Sequence, residues 1–382
     1  MSWPVVSLGS VATFLSGFAF KSEKFNSDGR GLPIVRIRDV VRGQSNTFFD
    51  GDFDPRYLVE DGDYLIGMDG EFNLAPWRGG QALLNQRVCK LDTLRSDVDR
   101  AYVAKFLPMA LKRIEDSTPF VTVKHLSVKK LNEVALPLPP LEEQRRIAAI
   151  LDQAEELRAQ RRAAIALLDQ LPQAIFLEMF GDRLQIFENW PTMPLGSVLS
   201  FLTSGSRGWA KHYAASGAHF LRIQNVRRDE LDLCDVAFVR PPSTKEAKRT
   251  RVEAGDVLLS ITADLGRTAV VDDRISAGYI NQHLAILRPA PMLDSQFLSS
   301  FIASDAGQVQ IQNKNRHGVK AGLNFDDIKT IATPLPPYEL QRDFATRVQT
   351  SRQVKSVFQA ALTELDALFD SLQSHVFGGQ HA

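Results

Sequence analysis

Two long stretches of the chain carry apolar residues at steps of three and four, a pattern typical of amphipathic helices in a coiled coil. The stretches cover residues 141–180 and 338–377. Each follows a proline, Pro140 or Pro337, that suits a helix start, and glutamates near each start favour the positive N-terminal end. At about 1.5 Å per residue, each helix would span roughly 55 Å. A helix of that length is marginal alone, so we expect the two to pack on each other.

The predicted packing seam runs along apolar residues at corresponding positions of the two helices. Its residues are Ile147, Leu151, Leu157, Leu168 and Leu171 in the first helix and Phe344, Val348, Val354, Leu365 and Leu368 in the second. Corresponding residues in the two helices are separated by 197 positions. Pro172 lies inside the first pattern, where a proline can kink or end a helix.

The helices belong to a duplication that extends through the chain. The segment 137–144 (Pro-Leu-Pro-Pro-Leu-Glu-Glu-Gln) returns at 334–341 as Pro-Leu-Pro-Pro-Tyr-Glu-Leu-Gln, 197 residues later. Matching segments before the helices, such as Asn85-Gln86 and Asn281-Gln282, are separated by 186 to 197 residues. The small changes in offset place insertions in the loops of a shared fold. A repeat of this length indicates domain duplication rather than a solenoid, whose units are about 20–50 residues.

Short alternating segments within each half predict strands. Residues 33–38 and 219–224 are predicted strands, 62–66 and 255–259 are each a turn with a buried strand, and 101–115 and 295–311 are predicted helices. We therefore predict an α+β fold: two tandem, similar mixed α/β domains, each with a curved or barrel-like sheet and each followed by a long helix. The predicted bounds are 1–140, 141–180, 181–337 and 338–377, with a tail at 378–382.

Composition excludes several classes of protein. The chain has 382 residues, which is too long for one typical core, and its formal net charge of zero gives no sign of a polyanionic partner. Two cysteines, Cys89 and Cys234, fit a reducing compartment rather than a disulfide scaffold. The N-terminus lacks a signal-peptide pattern, and we find no run of about 18 apolar residues, so we expect a cytoplasmic protein with no membrane partner.

The sequence lacks the motifs that catalysis would require. It has no G-x-x-x-x-G-K-[ST] phosphate loop, no [DNS]-P-P-[YF] tetrapeptide of an amino-methyltransferase and no G-x-S-x-G elbow. It also has no H-E-x-x-H or C-x-x-C spacing. We therefore expect no catalytic residue and no metal site, which disfavours an enzyme acting alone.

The two proline-started helices and the duplicated domains before them resemble the specificity subunit of a type I restriction-modification system. Three phrases are also similar to target-recognition domains: 17–22 (Gly-Phe-Ala-Phe-Lys-Ser), 69–73 (Asp-Gly-Glu-Phe-Asn) and 203–211 (Thr-Ser-Gly-Ser-Arg-Gly-Trp-Ala-Lys). The resemblance covers essentially the whole chain. The recognition domains are the family's most variable part, so no residue is assigned to a base by motif alone.

The resemblance implies a non-catalytic subunit for DNA recognition. Each domain would recognise one half of a bipartite double-stranded DNA sequence. The helices would form an antiparallel coiled coil with pseudo-twofold symmetry, which sets the gap between the half-sites. The coil would dock two adenine methyltransferase (modification) subunits that bind S-adenosylmethionine. Restriction subunits, which are translocases using ATP and Mg, would complete an endonuclease, and this chain itself would bind no cofactor.

Candidate DNA contacts are basic and polar residues in loops, because Lys and Arg neutralise phosphates while amide, carboxylate and guanidinium groups reach base edges. In the first domain they are Lys21, Lys24, Arg30, Arg36, Arg38, Glu71, Asn73, Arg78 and Lys124. In the second they are Ser206, Arg207, Lys211, His212, Arg222, Gln224, Arg267, Lys314, Arg316, His317 and Lys320.

Alternatives to these assignments stay open at the level of sequence. Arg36 and Arg222 occupy equivalent positions and could instead be structural arginines that pair with an acid such as Asp39. The run 313–320 is either a cationic loop on the DNA backbone or a solvated loop. The whole chain could also be a structural or interaction protein, with duplicated protein-binding domains on a coiled-coil spacer, or a homodimer held together by its helices.

Overall fold

The computed structural model describes residues 3–118, 124–275, 277–314 and 322–378. The chain divides into two compact units, one formed by 1–161 with 361–382 and the other by 162–360. Each unit therefore contains one of the predicted domains, the first half of the helix that follows it, and the second half of the other long helix.

The first unit contains three sheets and three helices ahead of the long helix, within the residues described. Its strands are β1 Val5–Ser7, β2 Ala12–Ser16, β3 Phe25–Asn26, β4 Leu32–Val35, β5 Phe48–Phe49, β6 Leu58–Val59, β7 Tyr64–Gly67, β8 Leu74–Pro76, β9 Ala82–Leu84, β10 Val88–Leu94 and β11 Ala135–Pro137. Its helices are α1 Ile37–Arg42, α2 Arg100–Ser117, α3 Val128–Asn132 and the long α4 Leu141–Phe180, which continues into the second unit.

The second unit repeats this order of elements. Its strands are β12 Thr192–Pro194, β13 Leu199–Ser204, β14 Tyr213–Ala214, β15 Ala218–Leu221, β16 Ala237–Val239, β17 Arg251–Val252, β18 Val257–Ser260, β19 Thr268–Val270, β20 Gly278–Ile280, β21 Leu284–Pro289 and β22 Ala332–Pro334. Its helices are α5 Gln185–Asn189, α6 Lys245–Arg249, α7 Ser295–Ala303, α8 Asp305–Lys314, α9 Phe325–Lys329 and the long α10 Tyr338–Phe377, which ends in the first unit.

The sheets of the two domains have the same topology, which confirms the duplication. A four-stranded antiparallel sheet has the order β2-β10-β7-β8 in the first domain and β13-β21-β18-β19 in the second. A five-stranded sheet has the order β3-β5-β4-β9-β6 or β14-β16-β15-β20-β17, with one parallel pair at β4/β9 or β15/β20. The curved or barrel-like sheet expected from the sequence is thus divided between these two sheets, and each domain has in addition a two-stranded sheet, β1-β11 or β12-β22.

Two predicted strands end earlier than expected. β4 stops at Val35 and β15 at Leu221, and a helical turn follows each. The backbone N–H of Arg36 donates to the Asp39 carboxylate (3.0 Å), and that of Arg222 donates to Asn225 Oδ1 (2.9 Å). Such a side chain three residues on satisfies a free N–H and starts a helix. The alternating apolar pattern therefore predicted a C-terminal end three residues too late for both strands.

The predicted helix 295–311 is divided at Ser304 into α7 and α8. Ser304 has extended backbone (ψ 166°), and its hydroxyl donates to the Phe301 carbonyl (2.6 Å). A serine hydroxyl that bonds the preceding turn competes with continuation of the helix. The equivalent helix of the first domain, α2, is continuous, with Tyr102 and Phe106 buried in the core.

Both long helices are forty residues long, and α4 continues through Pro172 without a break. In the second unit, Phe180 contacts Phe344 (5.4 Å between ring centroids), while Asp169 pairs with Lys355 (2.7 Å). Residue numbers thus rise on one helix as they fall on the other, so the pairing is antiparallel. In the first unit, Arg158 Nε donates to Asp366 Oδ1 (2.5 Å). This pair fits the same antiparallel order, because a lower residue number on α4 is matched by a higher one on α10.

The seam lies partly on residues other than those predicted. Ile147, Leu151, Phe344 and Val348 are buried, and Leu168 and Leu365 are half-buried. The prediction was wrong for the four exposed residues Leu157 (52%), Leu171 (38%), Val354 (40%) and Leu368 (54%). The residues that follow them, Arg158, Pro172, Lys355 and Phe369, face inward instead.

The physical reason for this shift is the spacing of the seam. Residues of a coiled-coil seam recur on average every 3.5 residues, and here that spacing places the charged Arg158 and Lys355 in the seam. Both are accommodated there because each pairs with an aspartate on the facing helix. The apolar pattern of the sequence instead assigned the seam to the neighbouring Leu157 and Val354.

Buried glutamines join each domain to its helix. Gln144 is fully buried, and its Nε2 donates to the carbonyl oxygens of Pro139 (2.8 Å) and Asp97 (3.0 Å). Its Oε1 accepts the backbone N–H of Asp99 (2.8 Å), whose side chain caps α2 by accepting the N–H of Tyr102. This side chain therefore connects the start of α4, the loop before α2 and the α2 cap.

Gln341 repeats the arrangement in the second unit. It is also fully buried, donates to Pro336 (2.8 Å) and Met292 (3.3 Å), and accepts the N–H of Asp294 (2.8 Å). The repeated Pro-Pro-x-x-x-Gln sequence is thus a junction between domain and helix.

α4 is long and apolar enough to cross a membrane, with a mean hydropathy of 1.3 in its most apolar window. The expectation that no such stretch exists was therefore too strict. The core helix of a soluble protein meets the same criterion. Of that window, 11% is buried, and at the end of α4 Phe176 and Phe180 pack against Phe297 and Phe344 in the second unit.

Candidate DNA-recognition surface

One edge of the four-stranded sheet gathers several loops of the first domain. The ends of β2 and β7 and the starts of β8 and β10 meet there, since Cys89 pairs with Ser16 and Ile66, and Ile66 pairs with Leu74. The loops that leave this edge are 17–24, 68–73 and 85–87. Lys124 joins them, because its carbonyl accepts the Gly70 N–H (2.9 Å). We call these residues the loop edge of the first domain.

The second domain has an equivalent loop edge. The end of β13 and the start of β21 lie beside the end of β18 and the start of β19, since Ser204 pairs with Ala285 and Leu259 pairs with both Ala285 and Thr268. Residues 205–212, 261–267 and 281–283 leave this edge. Leu323 also lies at this edge, because its N–H donates to the Ile261 carbonyl (3.0 Å).

A glycine begins the first loop of each edge. A Cβ on Gly17 would lie 2.1 Å from the Asn85 carbonyl oxygen, and one on Gly205 would lie 1.9 Å from that of Asn281. Only glycine permits this close approach of two backbone segments. The repeated glycine and asparagine therefore hold the loop edge in the same form in both domains.

Five of the predicted contacts of the first domain lie on its loop edge or on the segment leaving it. They are Lys21, Lys24, Glu71, Asn73 and Lys124. Arg36 follows β4, whose last residues run parallel to Leu83 and Leu84, so it lies next to the 85–87 turn. Arg38 is on α1, beside Asp39 (3.8 Å).

Two predicted contacts of the first domain lie elsewhere. Arg78 follows β8 at the opposite end of the sheet, and Arg30 lies on the β3–β4 connection near Asp28 (3.8 Å) and Asp50 (3.9 Å). Because the loop edge does not include them, their assignment as DNA contacts has no support from this geometry.

In the second domain, four predicted contacts surround one cleft of about 220 Å³. They are Ser206, Arg207, Lys211 and His212. Arg267 lines another cleft, of about 570 Å³, together with Arg227 and Arg228. Carboxylates line the clefts as well, Glu246 in the first and Asp264 and Asp305 in the second, and Arg267 pairs with Asp264. The exposed lysine and arginine side chains at this loop edge are nevertheless of the kind that binds phosphates.

The remaining predicted residues of the second domain have mixed placements. Arg222 Nη2 donates to the Asp235 carbonyl (2.8 Å), and Gln224 Nε2 donates to the Asp235 carboxylate (2.8 Å), which favours the structural alternative for Arg222. Lys314 Nζ donates to Thr330 Oγ1 (2.7 Å). Arg316, His317 and Lys320 lie outside the described residues.

Sequence reasoning did not identify Arg87, nor that it meets Asp69 and His125 on the loop edge of the first domain. His125 Nδ1 lies 2.6 Å from Asp69 Oδ1, and Arg87 Nε lies 3.5 Å from Asp69 Oδ2. Arg87 has a left-handed backbone (φ 70°), and about half of its side chain is exposed. The signal available in the sequence was its position directly after the repeated Asn-Gln pair.

A second missed feature is aromatic. Phe18 follows Gly17, is 48% exposed, and contacts Phe20 (5.2 Å) and Tyr57 (5.3 Å). The Arg56 guanidinium lies over the Tyr57 ring (4.7 Å). An exposed ring with aromatic support and a cation nearby is suited to contact with bases.

The described residues offer binding groups rather than catalytic ones. No group of three or more His, Cys, Asp or Glu side chains that could hold a metal occurs among them. Burial raises the pKa of the Cys89 thiol to about 12, which leaves it an unreactive core residue.

Comparison with known proteins defines the class. Residues 1–167 match a family described as the type I restriction modification DNA specificity domain. The chain is similar in fold to the S subunit of a type I restriction-modification system from M. genitalium, at 16% identity and a TM-score of 0.60 over 99% of this chain and 96% of that one. It is similar to the same degree (TM-score 0.60, 20% identity, 100% and 98% coverage) to a chain in a structure of type I R-M complex assembly.

Curated relatives extend the match over the whole chain. The EcoBI specificity subunit of Escherichia coli is 30% identical over 414 residues, which cover 99% of this chain and 86% of the relative. The EcoKI specificity subunit of E. coli strain K12 is 24% identical over 99% of this chain and 89% of the relative. The chain belongs to the family of type I restriction enzyme specificity subunits. It is therefore a non-catalytic DNA-specificity subunit, and the resemblance, the fold class and the role as a DNA-specificity subunit predicted from its sequence are confirmed.

Proposed function

We propose that the loop edges of the two domains, 1–140 and 181–337, each recognise one half of a bipartite duplex sequence. The paired helices set the gap between the half-sites. The observation that supports this division most directly is the repeated sheet topology, with equivalent loops gathered at the same edge of each domain. Two copies of one scaffold with different loop sequences are suited to two DNA segments of different sequence.

The residues proposed to contact DNA are those on or beside the two loop edges. They are Lys21, Lys24, Arg36, Glu71, Asn73, Lys124, Ser206, Arg207, Lys211, His212 and Arg267. Lysines and arginines among them would bind phosphates, which makes affinity depend steeply on salt. Arg316, His317 and Lys320 remain candidates on sequence grounds alone.

The chain is proposed to work through partners. Two adenine methyltransferase subunits that carry S-adenosylmethionine would dock on the coil, and restriction subunits that use ATP and Mg would join them. One of the similar structures is of complex assembly in a type I R-M system, which supports such partners. We propose that the chain lies in the cytoplasm, where DNA would be accessible to all of these subunits.

Mapping methylated adenines tests the function. Cells would carry this chain with the methyltransferase of its own system, and cells without the chain would serve as the control. We expect methylation of a bipartite motif with a fixed gap only when the chain is present. Methylation that is independent of the chain, or a motif without a gap, would contradict the proposal and favour a protein-binding spacer.

Exchanging residues 187–333 for the corresponding segment of another specificity subunit tests whether each domain recognises its half-site independently. One half-site should change, while the other half-site and the gap stay the same. A change in both half-sites would exclude independent recognition by the two domains.

A further inference from the structure

The two loop edges share a backbone but differ in three side chains. The Met68 N–H donates to the Arg87 carbonyl (2.9 Å), and the equivalent Ile261 N–H donates to that of His283 (2.9 Å). Asp69 forms an isolated β-bridge with His125, and Thr262 forms the equivalent bridge with Gly322. Arg87, Asp69 and His125 therefore correspond to His283, Thr262 and Gly322.

Positions that hold the backbone keep their residue type in both domains. Gly17 and Gly205 approach Asn85 and Asn281 at the same place. The three corresponding positions described above change completely, although they lie on the same edge and the same backbone. Two domains that recognise different half-sites must differ at the positions that contact bases, and these three meet that requirement.

Arg87 is held in an unusual conformation. Its φ of 70° lies in the left-handed region, which arginine rarely adopts and which recurs at functional sites. Asp69 approaches its guanidinium (Nε to Oδ2 3.5 Å) and is itself bonded to His125 (2.6 Å). Arg87 lies in the turn 85–88, which the Val88 N–H closes by donating to the Asn85 carbonyl (3.2 Å). The equivalent turn 281–284 is closed in the same way (3.1 Å), but His283 does not have a left-handed φ, so this conformation distinguishes Arg87 from its counterpart.

We propose that Arg87 determines specificity in the half-site of the first domain by donating two hydrogen bonds to a guanine in the major groove. Asp69 and His125 are positioning residues that orient the guanidinium. Arginine paired with the N7 and O6 atoms of guanine is the commonest specific contact between proteins and DNA. The inference rests on the proposed function, because it names a residue of the same surface.

The main test is the Arg87→Gly variant in the complex with the methyltransferase. Glycine suits a φ of 70°, so the variant should keep the wild-type Tm. Mapping of methylated adenines should show lost preference for guanine at one position of one half-site. The expected loss of discrimination is roughly 5- to 150-fold. The other half-site and the gap should not change.

A triple variant imports the second domain's side chains: Asp69→Thr, Arg87→His and His125→Gly. It should alter the same half-site as Arg87→Gly. The matched control is Arg95→His with Asp97→Thr, an ion pair (2.5 Å) beyond the far end of β10. Its arginine is exposed to a similar extent (45%, against 52% for Arg87), and its aspartate is more exposed (56%, against 24% for Asp69). The control should leave the methylated motif unchanged.

Several results would overturn the inference. One is an unchanged motif in Arg87→Gly, and another is a first-domain half-site without guanine, identified by exchange of residues 187–333. A third is binding that weakens equally for all sequences with a smaller salt slope, which identifies a phosphate contact instead. Absence of bipartite methylation by the wild-type complex would contradict the proposed function itself, before any variant is compared.

Discussion

At the scale of single residues, Gln144 and Gln341 explain why the repeated proline segment ends in glutamine. Each amide is fully buried and makes three hydrogen bonds to backbone groups that no secondary structure satisfies. Unpaired backbone groups in a core cost far more than a net hydrogen bond contributes. The glutamine thus fixes the direction in which each helix leaves its domain.

Gln144→Ala should destabilise the protein by about 2 kcal/mol, because it leaves the Asp99 N–H and two carbonyl oxygens without their partner. Chemical denaturation followed by circular dichroism would measure the change. Gln153→Ala, at an exposed position on the same helix, is the control and should cost less than about 0.5 kcal/mol. Equal effects of the two variants would exclude a structural role for Gln144.

At the scale of elements, the long helices are held by two related ion pairs. Arg158–Asp366 lies in the first unit (2.5 Å) and Lys355–Asp169 in the second (2.7 Å). In each unit the cation comes from the first half of one helix's sequence and the anion from the second half of the other helix. Charged pairs within an apolar seam fix the register of a coiled coil at some cost in stability.

Charge reversal tests this role. Arg158→Asp and Asp366→Arg should each destabilise the protein, and the double variant should recover much of the loss, with a coupling of about 1 kcal/mol by double-mutant cycle. The exposed pair Asp343–Arg347 (3.0 Å) on α10 is the control and should couple by no more than about 0.5 kcal/mol. Similar coupling at both sites would mean that the seam pair has no special role.

At the scale of the whole molecule, the proposed function depends on the length of the helices. Both have forty residues, and each begins in one compact unit and ends in the other. Helix length is therefore the variable through which the sequence can set the gap between half-sites.

Deleting seven residues from each helix, 158–164 and 360–366, tests that dependence. These segments face each other, because Arg158 pairs with Asp366. The deletion removes about 10 Å of helix, or roughly three base pairs of duplex. Mapping of methylated adenines should show a gap shortened by about three base pairs, with both half-sites unchanged.

The control keeps the helix length and places alanine at the exposed Gln160 and Glu364. It should leave the gap as it is in the wild type. An unchanged gap in the deletion variant would contradict the role of the coil as a spacer.

The sequence by itself determined the duplication, the positions of both long helices and the fold class. These properties depend on local periodicity and on repeated segments, which can be recognised without knowing any contact between distant residues. The absence of catalytic motifs belongs to the same group.

Only the tertiary structure decided where the helix seam runs and which loop residues come together. Arg158 and Lys355 occupy the seam because their partners lie far away in sequence, on the facing helix. Arg87, Asp69 and His125 meet because β-strand pairing brings three separate loops to one edge. Such juxtapositions depend on long-range backbone pairing, which the local pattern of apolar and polar residues does not specify.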